Sequence, residues 1–515
     1  MQARGTARGV TQNRSAALSL AVVATAFVAV CLTNSYEIID DAYITFRYAR
    51  NLALHGQLVF NLGERVEGIT NTLWALVLSP AALLRLPVEA TAAVLSVLCL
   101  GFTLFRLWQL GPLLGATRFA GAAAALLLIF NPNFVSSTTN GLEAALFTAL
   151  LAESVYRFAR GQGKWALLTA SLLFLTRPDG ILFAILLLWL VVRPLGRTRE
   201  AAVLSLYLLV PLLTFTALRL LYYHSAVPNS VIAKSFSPRL LPSLAGQIFL
   251  YFKGFFVQEP YLVLILLAAV LWLLYGRRWR DETAAAAVLC VSTILFSWAV
   301  ALRNGGDWMP DYRLLNQYGV LYSILFITLI KTRVVSTYLA ITLLAFPVTQ
   351  TIFERADGRP RPPITASASG FWADTTQRLS TVATKRDRVS AEALGVISYK
   401  LADVSFEDPL GLTDVYIAEH GVPSPTFGKY DQAYLLGTVR PDVMVWHYAG
   451  HMYGVDQRLL DQYVTLVYGP LEDWNSDIVM IRKDRMSQLA PAFADWPRAT
   501  LRTNSIGLAI DPAAQ

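Results

Sequence analysis

The strongest constraint on this chain is a succession of apolar runs broken by short basic loops. Each run approaches the roughly 20 residues a helix needs to cross hydrocarbon. The first is residues 16–34, AALSLAVVATAFVAVCLTN. Others fall at about 90–110, 118–133, 142–158, 164–177, 180–193, 200–222, 258–276, 283–301, 314–330 and 334–352. That makes about eleven expected spans. Of 515 residues, 55% are hydrophobic and only 15% charged, with a mean hydropathy of +0.47. Such a composition excludes an ordinary soluble domain and implies a mainly α, polytopic membrane protein.

Charge supplies the expected topology. The formal charge of +8 sits largely in MQARGTARGVTQNR at the N-terminus, Arg157 to Lys164, RPLGRTR at 193–199, RRWR at 277–280 and KTR at 331–333. Basic residues in short loops between apolar runs mark the cytoplasmic side, so the charge points to a lipid bilayer and not to nucleic acid. The first span reads as an uncleaved helix with a cytoplasmic N-terminus. An odd number of spans then puts the C-terminal part outside. The segment TNTLWALVLSPAALLRLP at 70–87 is broken by Pro80 and carries Arg85. Counting it as a span would invert everything after it. Residues from about 35 to 89 therefore read as one long outer loop with two helices lying on or dipping into the membrane surface. Cys31, Cys99 and Cys290 all lie in apolar segments and read as small core residues.

Residues 1–354 form the expected membrane domain. RADGRPRPPITASASG, from 355, is a polar Pro/Gly-rich linker. Residues 355–515 have soluble composition, with apolar runs LGVISY, PDVMVWHY, YVTLVYG and SDIVMIR between turn residues. They are read as a C-terminal extracytoplasmic α/β domain.

Polar residues collect in the expected outer loops. Just after the first span comes DDAYITFRYAR, opening on Asp40 and Asp41. As a helix it places Asp40, Tyr43, Arg47 and Arg50 along one face, with Asp41 about a quarter turn away. One reading is a base or nucleophile beside an anion-binding edge; the other is a helix cap with internal salt bridges. NPNFVSSTTNGLEAALF at 131–147 brings Glu143 to a helix start, which the macrodipole favours without any function. LTRPDG at 175–180 sets Arg177 beside Asp179. Lys234, in YYHSAVPNSVIAKS, is either a phosphate ligand or a snorkelling lysine. RNGGDWMPDYR at 303–313 joins paired glycines with Asp307, Trp308, Asp311 and Arg313, a set suited to a sugar or to a tight polar turn. No P-loop, GxGxxG, HExxH, CxxC or GxSxG is present. Charges avoid the middle of the spans, which argues against an ion pump or coupled transporter.

Taken together, DDAYITFRYARNLALHGQLVFNLGERVEGITNTLW, NPNFVSSTTNGLEAALF, LTRPDG, PNSVIAK, GGDWMPDYR and GLTD at 411–414 resemble, in that order, the polytopic GT-C glycosyltransferases. More narrowly, they resemble the mycobacterial terminal arabinofuranosyltransferase and its bacterial relatives. The resemblance implies a multi-pass enzyme of a bacterial plasma membrane with a periplasmic C-terminal domain. It would move a sugar, with arabinofuranose or another pentofuranose the first guess, from a polyprenyl-phosphate donor to a cell-envelope glycan. It maps the essential acid of the first outer loop onto Asp40 or Asp41, with Asp40 the first choice and Asp41 the second. Arg47, Lys234 and Arg313 are the candidate ligands of the donor phosphate. Tyr43, Glu67, Glu143, Asp307 and Trp308 are the candidate contacts to sugar or acceptor. No metal triad is visible, and a divalent cation is left open. The competing class is a lipid-linked glycan transporter or a non-catalytic envelope assembly protein.

Overall fold

The computed structural model describes residues 2–34, 37–235, 241–275, 282–307, 310–332, 343–351, 373–423, 428–446, 456–468, 477–499, 501–503 and 508–510. The chain divides into two compact units. The first comprises Met1–Glu37, Ala92–Leu218 and Arg239–Ile364, and the second Ile38–Thr91, Arg219–Pro238 and Thr365–Gln515. Residues 38–91 and 219–238 thus fold with the C-terminal residues, not with the helices that flank them in sequence.

The first unit is helical. By length and composition, four helices among the described residues can cross a membrane: Arg14–Thr33, Val88–Leu113, Arg199–Tyr223 and Thr283–Arg303. Two bent pairs, Arg118–Ile129 with Pro132–Thr139 and Ala245–Gln258 with Pro260–Tyr275, raise the number to six if each is one span. Among the described residues, length and composition thus identify four to six crossings where about eleven were expected. Gly163–Thr176, Gly180–Leu195 and Gly319–Lys331 are apolar but shorter than a crossing requires. Most of the expected span at 334–352 lies outside the described residues.

Burial separates the helices by role. Every residue from Gly319 to Leu329 is buried, as expected of a helix apolar on all sides. In Arg199–Tyr223 only 17% of the apolar window is buried, and Leu206, Val210 and Leu213 are exposed. Apolar surface of that extent costs about 25 cal/mol per Å² in water, so this helix has the surface of one that faces lipid.

The second unit holds two helices from the first loop, Asp40–His55 and Thr72–Leu83. The latter has 12 residues with Pro80 inside, too short to span. It also holds strands β1 (Arg388–Ala391), β2 (Ser405–Glu407), β3 (Val422–Pro423), β4 (Lys429–Tyr430), β5 (Val443–Trp446), β6 (Tyr463–Tyr468), β7 (Asp477–Arg482), β8 (Arg498–Ala499), β9 (Leu501–Thr503) and β10 (Leu508–Ile510). Six of them form a sheet in the order β2-β1-β5-β7-β6-β8. β1 runs parallel to β2 and β5, with Val389 opposite Phe406 and Val443. The remaining pairs are antiparallel. All four residues of β5 are buried, as suits a strand covered on both faces.

Three of the four apolar runs noted in the sequence become β5, β6 and β7. The fourth, LGVISY, lies in the helix Leu394–Lys400. Parallel β1 and β2 need a crossover between them, and this helix supplies it.

Candidate active site

The second unit contains the acidic pair. Ile39 is the N-cap of helix Asp40–His55, so neither aspartate caps its own helix. Asp40 instead caps another. Its carboxylate accepts hydrogen bonds from the backbone N–H of Gly395 and of Val396, both at 2.8 Å. These belong to the orphan donors that open the helix Leu394–Lys400. The face carrying Asp40, Tyr43, Arg47 and Arg50 exists as the spacing predicts, and it lies along this second helix. Tyr43 is buried with its ring 5.5 Å from that of Tyr399. Arg47 donates to the carbonyl of Ser398, and Arg50 Nη1 to the carbonyl of Tyr399 at 2.8 Å. The two helices therefore run parallel, with an acid against the amino end of the second and guanidiniums against its carboxyl end. That is the charge order its dipole favours.

Arg47 has further partners. Nε donates to Phe60 O at 2.8 Å, and Nη2 to Val404 O at 2.9 Å and Asn61 Oδ1 at 3.3 Å. Its guanidinium lies over the rings of Phe60 and Phe406, and the residue is 2% exposed. Burial, then the charge of Arg50, push its pKa down to about 9, so it remains cationic at neutral pH. Enclosed by protein acceptors, Arg47 is placed as a structural clamp, and Tyr43 as a core residue. The anion-binding edge expected on this face is covered.

Asp41 differs. It is partly exposed. It makes no hydrogen bond or ion pair among the described residues. The quarter-turn offset read from the sequence turns it off the covered face.

The rest of the first loop is tied to 219–238 and to GLTD. Glu67 pairs with Arg219 at 2.7 Å, both nearly inaccessible, and Thr72 Oγ1 donates to the same carboxylate at 3.1 Å. Burial raises the pKa of Glu67 while Arg219 opposes the rise. Glu67 is thus held by a cation, not presented to a sugar. Tyr48 Oη donates to Val66 O and accepts from Gly68 N–H, each at 2.7 Å. A Cβ on Gly68 would lie 2.5 Å from Thr413 Cγ2, so any larger residue in the VEG turn would push against GLTD. Asn229 of PNSVIAK donates to the carbonyls of Gly411, Leu412 and Asp414 at 2.9–3.1 Å. Asp408 accepts from the N–H of Leu410 at 2.8 Å and of Thr413 at 2.6 Å. Its pKa is pushed up to about 6 by burial, against those same bonds. Lys234, just beyond the helix Asn229–Ala233, is exposed, and its ammonium has no partner among the described residues.

The first unit contains a separate polar network that joins the other expected outer turns. Arg177 pairs with Glu143 at 2.7 Å and with Asp179 at 3.0 Å. Asp179 also accepts from Tyr318 Oη at 3.0 Å and Gln317 Nε2 at 3.3 Å. Within RNGGDWMPDYR Arg313 binds Asp307 at 3.0 Å, while Asp311 accepts from Ser136 of NPNFVSSTTN at 2.5 Å. Asp311 and Tyr312 both have positive φ, 69° and 49°. Trp308 lies outside the described residues. Glu259, fully buried, accepts from Asn131 at 3.0 Å and Asn133 at 2.8 Å, which joins the breaks of the two bent helix pairs.

Arg219, Asn61, Asn229, Asp408 and Glu259 were not singled out from the sequence. Each is a polar residue at the edge of an apolar stretch, and that is the signal available for them. Among the described residues no group of three or more His, Cys, Asp or Glu side chains could hold a metal ion.

No family model matches the chain. No curated protein matches it either. Among solved structures, it is similar to ArnT from Cupriavidus metallidurans in the apo state, at 14% identity and a TM-score of 0.43, over 91% of this chain and 98% of that one. It is also similar to the same protein bound to undecaprenyl phosphate, at 14% identity and a TM-score of 0.43, over 90% and 97%.

Proposed function

We propose that this chain is a membrane glycosyltransferase that moves a sugar, a pentofuranose such as arabinofuranose, from a polyprenyl-phosphate donor to a cell-envelope glycan outside the cytoplasm. The observation that carries the reading is Asp41. It is a partly exposed carboxylate with no partner among the described residues, on a helix whose neighbouring polar side chains are engaged. The apolar helices and the ordered motifs of the sequence support the lipid-linked donor.

In this reading Asp41 takes the proton of the acceptor hydroxyl as its oxygen bonds to the anomeric carbon. The bond from that carbon to the phosphate oxygen breaks, and polyprenyl phosphate leaves with the electron pair. If Asp41 attacks the anomeric carbon itself, the stereochemical outcome is reversed. Lys234 supplies a cation for the departing phosphate. Arg313 keeps its nomination as a phosphate ligand, and Glu143, Asp307 and Trp308 theirs as sugar contacts, from the sequence reading alone.

The test uses the purified full chain, polyprenyl-phosphate arabinofuranose and an oligosaccharide acceptor, with product linkages analysed. Asp41→Asn is expected to lower turnover by about 10²- to 10⁴-fold, the usual contribution of a general base. Lys234→Ala is expected to raise KM for the donor more than for the acceptor. A wild-type rate in Asp41→Asn removes the proposal. Movement of lipid-linked sugar across vesicles without a new linkage would favour a transporter instead.

A further inference from the structure

Asp40 is the more deeply engaged member of the acidic pair. Its two carboxylate oxygens each take one backbone N–H, from Gly395 and Val396. The approach is close. A Cβ on Gly395 would lie 1.8 Å from the backbone oxygen of Asp40 and 2.8 Å from its Oδ2. The turn from β1 into the helix Leu394–Lys400 therefore accepts only glycine at this contact. Farther along, Arg47 and Arg50 hold the carbonyls of Ser398 and Tyr399. The helix bearing Asp41 is thus fastened at its first turn and again two turns later, and Asp40 makes the first fastening. Asp41 is the next residue, and its carboxylate has no side-chain or backbone partner among the described residues. Its direction is set by the backbone of the turn that Asp40 anchors.

We propose that Asp40 is a positioning residue. By binding the amides of Gly395 and Val396 it fixes the first turn of its helix and so aims Asp41. The proposal rests on the reading of Asp41 as the reacting carboxylate. It also makes the β1–helix turn of the C-terminal segment, more than 350 residues away in sequence, part of the apparatus that orients Asp41.

The test compares Asp40→Asn, Asp40→Ala, Gly395→Ala and Asp41→Asn in the purified full chain. Three readouts apply: donor and acceptor kinetics, the pH profile of kcat, and amide hydrogen exchange across 388–400. Asparagine keeps one acceptor oxygen, whereas alanine keeps none. A positioning role therefore predicts a graded loss, with kcat lowered about tenfold in Asp40→Asn and about 100-fold in Asp40→Ala, as for a slightly misplaced reacting group. KM is expected to change little, and the acidic limb of kcat to persist. Exchange across 394–397 should speed up by about tenfold or more in both Asp40 variants and in Gly395→Ala, and stay unchanged in Asp41→Asn. If Asp40→Asn is as inactive as Asp40→Ala and loses the acidic limb, Asp40 is itself the base and the positioning role is overturned. Unchanged exchange in Asp40→Ala overturns it as well. If Asp41→Asn keeps full activity while Asp40→Ala still speeds exchange, the fault lies with the reading of Asp41.

Discussion

The two units draw on different partners for many of their buried polar groups, although ion pairs such as Glu67–Arg219 occur in the second unit too. In the helical unit, charge meets charge. Arg177 is held by Glu143 and Asp179, Arg106 by Glu153 and Arg313 by Asp307. In the other unit, charged and amide side chains mostly meet backbone. Asp40 takes two N–H groups, Arg47 three carbonyls, and Asn229 three carbonyls. Asn61 both accepts from and donates to the backbone of Phe406, as a neighbouring strand would. An ion pair can be deleted from both sides, but a backbone group cannot. The helical unit should therefore tolerate removal of a whole pair, whereas contacts between the first loop and the C-terminal residues have no compensating partner mutation.

The sharpest way to break this contrast is Arg47→Ala. It strands the carbonyls of Phe60, Ser398 and Val404 in a buried site and is expected to cost about 3–5 kcal/mol. The readout is the thermal midpoint of tryptophan fluorescence in detergent. Arg47→Lys should recover little of it, because an ammonium cannot reach this set of acceptors as a planar fork does. Full stability in Arg47→Lys would show that charge alone matters here.

Arg177→Ala is the counterpart in the helical unit. It leaves Glu143 and Asp179 without their cation, at about 1–3 kcal/mol after allowing for partial exposure. Asp179 retains Tyr318 and Gln317, which softens the loss. The combination Arg177→Met with Glu143→Gln and Asp179→Asn should return to near wild-type stability, since it removes every unpaired charge. A triple variant no better than Arg177→Ala would erase the distinction between the units.

The same contrast explains what the sequence made legible. Periodicity correctly placed Asp40, Tyr43, Arg47 and Arg50 on one face, because helical spacing is a local property. It could not say what covers that face, because the covering helix begins at Leu394. A carboxylate beside guanidiniums therefore suggested an anion site, where the structure has the dipole of a second helix. The VEG turn, PNSVIAK and GLTD were associated through the resemblance, and they meet through Asn229 and Gly68. Arg219, the partner of Glu67, is 152 residues away and near the end of an apolar run, where only its charge marked it. Sequence length does not show where tertiary enclosure lets an apolar helix be short, as in Gly319–Lys331, whose buried residues meet other helices on all sides.

The smallest expected effect tests a carboxylate that neither a full ion pair nor the backbone satisfies. Glu407 ends β2, with Arg388 at 3.7 Å as a loose partner. Burial, then the charge of Glu64, push its pKa up to about 7 from an ordinary 4.5. The folded state therefore binds more protons than the unfolded chain between those two values, and stability falls as pH rises through that window. Above it the loss is complete and constant. Glu407→Gln should remove this contribution, making the variant about 1–2 kcal/mol more stable than wild type at pH 8 and equal to it near pH 4. Asp408, raised to about 6 in the same way, remains in both proteins and leaves each with some decline on the alkaline side. Thermal midpoints measured from pH 4 to 8 decide the matter: converging curves at low pH support the shift, and parallel curves show that Glu407 titrates as an ordinary surface acid.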